Sequence, residues 1–188
     1  EHEIRDFRLS GAELPEDAKP RFQAIQEELA SLQAKFSENL LDATNAFAEI
    51  VTGEAELAGI PADAVEAART AAARDAATGW KFTLHMPSYL PVMQYAESRR
   101  LRETLYRAYA TRAAEFHALG GKQEWDNMPL IRRLLELRAE EAGHLGYGNF
   151  AEVSLVPKMA ESPADVLAFL RELAVKSKPF AERDMAEL

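Results

Sequence analysis

Hydrophobic residues recur at helical spacing along most of the chain. The longest series has steps of three or four residues, which places its members on one face of a helix: Phe22, Ile25, Leu29, Leu32, Phe36 and Leu40. A helix of about 30 residues would span roughly 45 Å. We expect it to open near Leu14-Pro15-Glu16-Asp17, with Pro20 in its first turn, where proline is tolerated. The series covers too few heptads for a coiled coil, so we interpret it as a scaffold helix.

The same pattern predicts several further helices, and glycine or proline marks most of their ends. Ser162-Pro163 is a strong helix start, because serine caps and proline fits the first turn. Pro179 should kink or interrupt that last helix. The other predicted helices are 61–77, stopped by Gly79; 89–96, after Pro87; 98–119, with Leu101, Leu105, Tyr109 and Phe116 buried and Gly120-Gly121 as its stop; and 128–145, with Leu130, Leu134, Leu137 and Ala142 on one side and Gly146 and Gly148 after it.

Two short segments depart from the helical pattern. Residues 47–52 and 80–85 alternate or carry β-branched and aromatic side chains, which favours strands paired in one small antiparallel ribbon. The predicted fold class is therefore mainly α, with one two-stranded ribbon. The 188 residues, 47% of them hydrophobic, suffice for a sizeable core. We predict a single helical segment over 1–188, without an internal domain boundary.

Composition narrows the partners and the compartment. The net charge is −9, and an acidic protein repels phosphate backbones, so nucleic acid is not an expected partner. No apolar run approaches the roughly 20 residues of a membrane helix, so no membrane partner is expected either. The chain has no cysteine, which excludes disulfides and thiolate zinc sites and agrees with a cytoplasmic location.

Metal binding is the first chemical question. A hydrolytic zinc site needs about three protein ligands and an open position for water, and a His-Glu-x-x-His helix supplies two histidines on one face. The four histidines, His2, His85, His117 and His144, include no such pair. Glu141-x-x-His144 is half of a di-iron motif, whose proteins use two such pairs and two further glutamates. The alternative is a histidine stabilised at a helix C-terminus.

Other candidates have similarly plain alternatives. His85 and Ser88 would suit a base and a nucleophile, or His85 would serve as a capping or hydrogen-bonding residue. Gly120-Gly121-Lys122 lacks the remaining parts of a phosphate-binding loop. An arginine cluster would anchor a peptide carboxylate or form a solvated, internally paired face with Glu103 beside Arg107: Arg99, Arg100, Arg102, Arg107 and Arg112. Four tyrosines would line a groove or belong to the core: Tyr89, Tyr95, Tyr106 and Tyr109.

Four stretches together carry a family resemblance: Leu84-His85-Met86-Pro87-Ser88-Tyr89-Leu90-Pro91-Val92-Met93, Leu105-Tyr106-Arg107-Ala108-Tyr109-Ala110-Thr111-Arg112, Leu145-Gly146-Tyr147-Gly148-Asn149-Phe150 and Lys158-Met159-Ala160-Glu161-Ser162-Pro163. In this order they resemble the M3 zinc oligopeptidases, in particular the bacterial oligopeptidase A type, relatives of thimet oligopeptidase. The resemblance implies a longer, mostly helical enzyme with a deep channel and zinc at its floor, which cleaves short peptides. It places the zinc helix later in the chain, so it assigns no catalytic, cofactor-binding or metal residue here.

These observations predict a scaffold or channel-wall segment of a zinc metallo-oligopeptidase, inactive and zinc-free by itself. Both ends read as cut, because residues 5–11 resemble the middle of a structure and residues 184–188 carry no stop signal. A stand-alone helical binding module is the second hypothesis, and a ferritin-like metal protein built on Glu141 and His144 is the third. Apolar surface left open at the ends predicts self-association of the segment.

Overall fold

The computed structural model describes residues 2–115 and 122–187. Within these ranges the chain forms eight α-helices and one two-stranded antiparallel sheet, which confirms the mainly helical prediction with its small ribbon. The elements are α1 His2–Leu9, α2 Lys19–Ala46, β1 Glu49–Val51, α3 Ala62–Arg74, β2 Trp80–Phe82, α4 Met86–Tyr95, α5 Arg99–Thr111, α6 Met128–His144, α7 Phe150–Leu155 and α8 Pro163–Glu187, with 3-10 turns at Glu54–Leu57 and Gln123–Trp125.

Helix α2 begins at Lys19, later than the expected start near Leu14. Pro20 follows at once, in the first turn, where no intrahelical partner for its missing N–H is needed. The predicted stripe is buried at Phe22, Ile25 and Leu29. Its second half is only partly buried, at Leu32, Phe36 and Leu40, while the buried positions there are Asn39 and Ala43. The stripe therefore shifts around the helix along its length.

The ribbon is shorter than predicted, with three residues in each strand. Glu49 pairs with Phe82, Ile50 with Lys81 and Val51 with Trp80 in antiparallel register. The side chains of Val51 and Phe82 point into a core that also contains residues of α3, α4 and α5. The buried members of this core are Val51, Leu57, Ile60, Ala68, Phe82, Val92, Ala96, Leu101 and Leu105.

Helix α3 ends earlier than the pattern predicts. Its last residue is Arg74, and Gly79 is not its stop. Ala76 adopts a positive φ of 55°, and the Ala77 N–H donates to the Ala72 carbonyl at 3.0 Å. Such a left-handed residue closes a helix C-terminus, and here an alanine provides it.

Two other helix boundaries were predicted wrongly. Helix α4 starts at Met86 rather than after Pro87, because proline fits the first turn. Helix α5 ends at Thr111 rather than at Leu119. Its predicted start is confirmed, since Ser98 Oγ accepts from the Leu101 N–H at 3.2 Å. The predicted burial of Phe116 and the stop at Gly120-Gly121 lie outside the described residues.

The last two long helices follow their predictions more closely. Helix α6 ends at His144, just ahead of Gly146, and buries Leu134, Leu137 and Ala142, whereas Leu130 is only partly buried. Helix α8 starts at Pro163 as predicted, with Ser162 Oγ accepting from the Asp165 N–H at 3.2 Å. It continues through Pro179, so the predicted interruption is wrong, and the alternative, a kink at Pro179, stays a prediction. A proline removes one backbone hydrogen bond and favours a bend, but it does not have to end a helix.

The described residues cluster into two compact units. One contains residues 2–30 and 133–187, and the other contains 31–132. Helices α2 and α6 contribute residues to both units. The absence of an internal domain boundary stays a prediction. No helix in the described part of the chain is long and apolar enough to cross a membrane.

Candidate functional site

The Glu141-x-x-His144 motif lies at the end of α6, and its two side chains turn to different partners. Glu141 is buried and accepts a hydrogen bond from Gln26 Nε2 at 3.0 Å. His144 packs edge-on against the Phe22 ring, with 6.3 Å between ring centroids, and its Nε2 lies 3.9 Å from Glu140 Oε1. The arrangement matches the alternative interpretation of a histidine at a helix C-terminus.

Two arginine–carboxylate forks join α2 to α6 within one unit. Arg21 donates to both oxygens of Glu140 at 2.6 Å each. Arg133 donates to both oxygens of Glu28 at 2.6 and 2.8 Å. The guanidinium hydrogen bonds hold the pKa of Glu140 and of Glu28 below the ordinary carboxyl value. Such planar forks fix the relative position of two helices as well as their charge.

The Arg21–Glu140 fork predicts that the protein loses stability in acid. Because the folded pKa of Glu140 is lowered, its contribution is present above the unfolded carboxyl pKa of about 4.3 and disappears as pH falls through the lower folded value. Glu140→Gln should therefore lower the unfolding free energy at pH 7 and reduce its decline below about pH 5. Urea unfolding at several pH values measures both changes. Glu161→Gln, at an exposed carboxylate, is the control, and an unaltered pH profile in Glu140→Gln contradicts this role of the fork.

His85 and Ser88 do not form a nucleophile–base pair. Ser88 Oγ accepts a hydrogen bond from the Thr83 N–H at 2.9 Å, so its lone pair ties the end of the ribbon to α4. His85 occupies the residue before α4 and is exposed, and its side chain makes no capping hydrogen bond. Its carbonyl accepts from the Ser88 and Tyr89 N–H groups at 2.9 and 2.8 Å. The predicted strand end at His85 is thus the start of a helix.

The arginine cluster on and beside α5 is mostly engaged within the chain. Arg100 binds Glu56 at 2.6 Å and Glu49 at 3.0 Å, and these contacts raise its pKa. Arg107 binds Glu103 at 2.8 Å, the i, i+4 pair expected from the sequence. Arg102 donates to the Ala96 carbonyl. These contacts match the interpretation as an internally paired face rather than a carboxylate anchor.

Two of the four tyrosines are packed and two are exposed. The Tyr89 and Tyr109 rings stack with centroids 4.5 Å apart, and the Arg112 guanidinium lies 3.5 Å from the Tyr109 centroid. Burial raises the pKa of the Tyr89 phenol. Tyr95 and Tyr106 are exposed. The core interpretation therefore fits Tyr89 and Tyr109, and Tyr106 lines an open cavity.

An open cavity of about 460 Å³ lies beside Tyr106. Its lining combines a basic, an acidic and an apolar contribution: Met93, Arg99, Arg102, Glu103 and Tyr106. The mixture suits an extended polar segment better than a deeply enclosed ligand, because drug-sized ligand sites are concave and mostly apolar.

Metal ligands are not brought together in the described ranges. Within residues 2–115 and 122–187, no group of three His, Cys, Asp or Glu side chains is placed to hold a metal ion. His117 lies outside these ranges. The third hypothesis, a ferritin-like metal protein, needs several carboxylates around Glu141 and His144, whereas Glu141 is engaged with Gln26.

Comparison with known proteins decides the family. The family model described as peptidase family M3 matches residues 92–188, just over half of the chain. The chain belongs to peptidase family M3. Its resemblance to the oligopeptidase A type is confirmed by long alignments. Oligopeptidase A from Haemophilus influenzae is 47% identical over 188 residues, which are 100% of this chain and 27% of that protein.

Further relatives give the same picture. Oligopeptidase A from Escherichia coli is 45% identical over 185 residues, covering 98% of this chain and 27% of that protein. The probable cytosolic oligopeptidase A from Arabidopsis thaliana is 43% identical over 180 residues, covering 91% of this chain and 25% of its own length. This M3 chain therefore spans about a quarter of the length of the curated relatives it matches.

The two arginine–carboxylate forks of this M3 chain match no local sequence motif. The Arg21–Glu140 and Arg133–Glu28 forks join residues 119 and 105 positions apart, and local spacing carries no signal for such pairs. Arg21 and Glu28 adjoin Phe22 and Leu29 of the apolar stripe, and each lies where α2 contacts α6.

Proposed function

We propose that this M3 chain is the helical scaffold, and part of the channel wall, of a zinc oligopeptidase of the oligopeptidase A type. The observation that carries the proposal is the extent of the similarity: identity of 47% runs over the whole chain, which makes up 27% of the relative. The whole sequence of this chain thus aligns within a much longer peptidase. The relatives are named oligopeptidase A, and we accordingly propose peptide hydrolysis as the activity of the longer enzyme and oligopeptides as its substrates.

Zinc is the metal that the family implies, and the residues described here do not fit it. A hydrolytic zinc site uses about three protein ligands, whereas the described ranges bring no three suitable side chains together. We therefore assign zinc and the catalytic groups to a part of the longer enzyme outside these 188 residues. What this chain supplies is rigid helix packing, through the core around Phe82 and the two forks between α2 and α6.

The purified 188-residue chain tests this division. We expect zinc far below one equivalent by elemental analysis, and no cleavage of an internally quenched oligopeptide. Glu141→Gln with His144→Ala should leave the bound metal unaltered, since neither residue is assigned as a ligand. Stoichiometric zinc together with chelator-sensitive cleavage contradicts the proposal.

A stand-alone binding module is the second candidate function. The open cavity beside Tyr106 favours it, because a mixed polar and apolar surface of this kind suits an extended partner segment. The reading frame after residue 188 separates the two candidates. A downstream His-Glu-x-x-His supports the scaffold, and a stop codon at that point supports the module.

We propose a cytoplasmic location, and neither nucleic acid nor membrane as a partner. The net charge of −9 disfavours phosphate backbones. The absence of cysteine agrees with a reducing compartment. The Arabidopsis thaliana relative is named as cytosolic, which supports the same location for the longer enzyme.

The isolated chain is expected to self-associate. Ile4 and Phe7 on α1 are each more than half exposed, and exposed apolar patches promote association. Light scattering over a concentration series should show a mass that rises above 20.9 kDa. Replacing both residues with serine should lower the association, and a wild-type chain that stays monomeric at high concentration contradicts the prediction.

A further inference from the structure

Helix α8 carries a large apolar surface and buries none of its residues. The helix runs over Pro163–Glu187, and no residue in it is buried. Many of its large apolar side chains are about half exposed or more: Leu167, Phe169, Leu170, Leu173, Val175, Phe180 and Met185. A helix that is fully solvated carries mainly polar residues, and a large exposed apolar surface marks a site of interaction.

The apolar residues lie on one side of the helix. At about 100° per residue, all of those just named except Val175 fall within a sector of roughly 160°. Ser177, Asp184 and, at its edge, Glu187 are the polar residues inside that sector. Its width matches the face that a helix turns to the core of a globular protein, whereas a two-helix coiled coil uses a narrower seam. The surface is therefore suited to more than one neighbouring helix.

Four of the charged residues outside the sector are paired along the helix. Lys176 binds Glu172, and Lys178 lies 3.8 Å from Glu182, both at i, i+4 spacing. Such pairs are typical of a solvated helix face. The side of α8 with these ion pairs is thus suited to solvent, whereas the apolar sector is not.

Two observations identify what covers the open side. The M3 family match extends through α8, so this helix belongs to the shared fold and is not an appended tail. The relatives contain nearly four times the length of this chain, which is enough to supply several helices. Resting on the proposed function, we propose that the apolar sector of α8 docks apolar helical segments from the remaining part of an oligopeptidase A-length chain.

Cysteine labelling tests the docking directly, because the chain has no cysteine of its own. We would compare the 188-residue chain with a chimaera in which it replaces the matching stretch of Haemophilus influenzae oligopeptidase A. Leu170→Cys and Phe180→Cys place probes in the sector, at positions that are 50% and 59% exposed. Val175→Cys, 75% exposed on the opposite side, is the matched control. Mass spectrometry follows thiol modification at each site.

We expect both sector probes to react at least about tenfold more slowly in the chimaera than in the 188-residue chain, because reaction there requires local opening. Val175→Cys should react at similar rates in both. Circular dichroism checks that each variant is helical. Two sector probes are used because a single substitution could itself disturb docking, whereas the other would still report it.

Three results would overturn the inference. Equal rates at both sector probes would leave the sector free in the longer chain. Protection that appears only as concentration rises would assign the sector to a second copy. Protection of Val175→Cys to the same degree would show that the covered side is not the apolar sector. Labelling does not depend on hydrolysis, so an active chimaera with reactive sector probes contradicts this inference alone.

Discussion

Gly59→Ala and Gly79→Ala are each expected to lower the unfolding free energy by roughly 2–5 kcal/mol, the sum of a positive-φ cost and an overpacking cost. Gly53→Ala should change it by less than about 0.5 kcal/mol, as for other exposed positions. Urea unfolding, followed by circular dichroism, measures all three. Equal stability of Gly59→Ala and Gly53→Ala contradicts the prediction.

The reason is the close approach of backbone carbonyls to the two glycines. Gly59 has φ of +83°, and a Cβ there would overlap the Tyr95 carbonyl oxygen at the end of α4. Gly79 has φ of +109°, and its Cβ would overlap the Val51 carbonyl oxygen of β1. A Cβ on Gly53 would meet nothing within 4 Å. Backbone atoms cannot move aside as a flexible side chain does, so the strain has to spread into α4 or the ribbon.

Positive φ alone does not explain the expected loss. Ala76 and Ala113 already adopt φ of 55° and 53° in this chain, so alanine is tolerated in the left-handed region at other positions. The overlap at Gly59 and Gly79 makes the difference.

Phe82→Ala is expected to lower the unfolding free energy by about 3–5 kcal/mol, the usual cost of removing a buried aromatic ring. Phe82 is 1% exposed and lies in the core that joins the ribbon to α3, α4 and α5. The cavity left by the ring cannot close without moving several helices. Phe82→Leu, which removes less volume, should give an intermediate value.

Ile50→Ala is the matched control for Phe82→Ala. Ile50 sits on the neighbouring strand, one register step away, and is 39% exposed. Its loss should cost about 1 kcal/mol or less. Similar losses for Phe82→Ala and Ile50→Ala would mean that the ribbon does not cover the core as described.

Apolar periodicity was sufficient to predict most of this fold. The step of three or four residues predicted α2 and α6, and the serine and proline at 162–163 predicted the start of α8. Alternation and aromatic content predicted the ribbon, although each strand is three residues long. These signals are local, because each depends on neighbours along the chain.

The features that the sequence did not predict depend on distant residues. Asn39 and Asn127 are both buried, and Asn39 Nδ2 donates to Asn127 Oδ1 at 2.9 Å across 88 positions of sequence. Glu141, a metal-ligand candidate from its spacing to His144, accepts a hydrogen bond from Gln26, 115 positions away in sequence. The left-handed Ala76 replaced the expected glycine stop of α3. In each case, the decisive partner or conformation is set by tertiary packing.

The candidate site residues depend on contacts between distant residues in the same way. Motif reading assigned no catalytic, cofactor-binding or metal residue, and the structure instead accounts for Glu141, Ser88 and Arg100 through contacts within the chain. Their roles in holding helices together agree with a scaffold. The family resemblance, carried by short stretches of ordinary residues, was the stronger guide to function.

The most direct test is oligopeptide hydrolysis by the chimaera, measured beside the 188-residue chain alone. If this chain is the scaffold of an oligopeptidase A-type enzyme, the folded chimaera should cleave an internally quenched oligopeptide at a rate comparable to that of unaltered Haemophilus influenzae oligopeptidase A. A chelator should abolish that cleavage, and the 188-residue chain should show none. A folded, zinc-loaded chimaera without activity, or chelator-sensitive cleavage by the 188-residue chain, would contradict the account.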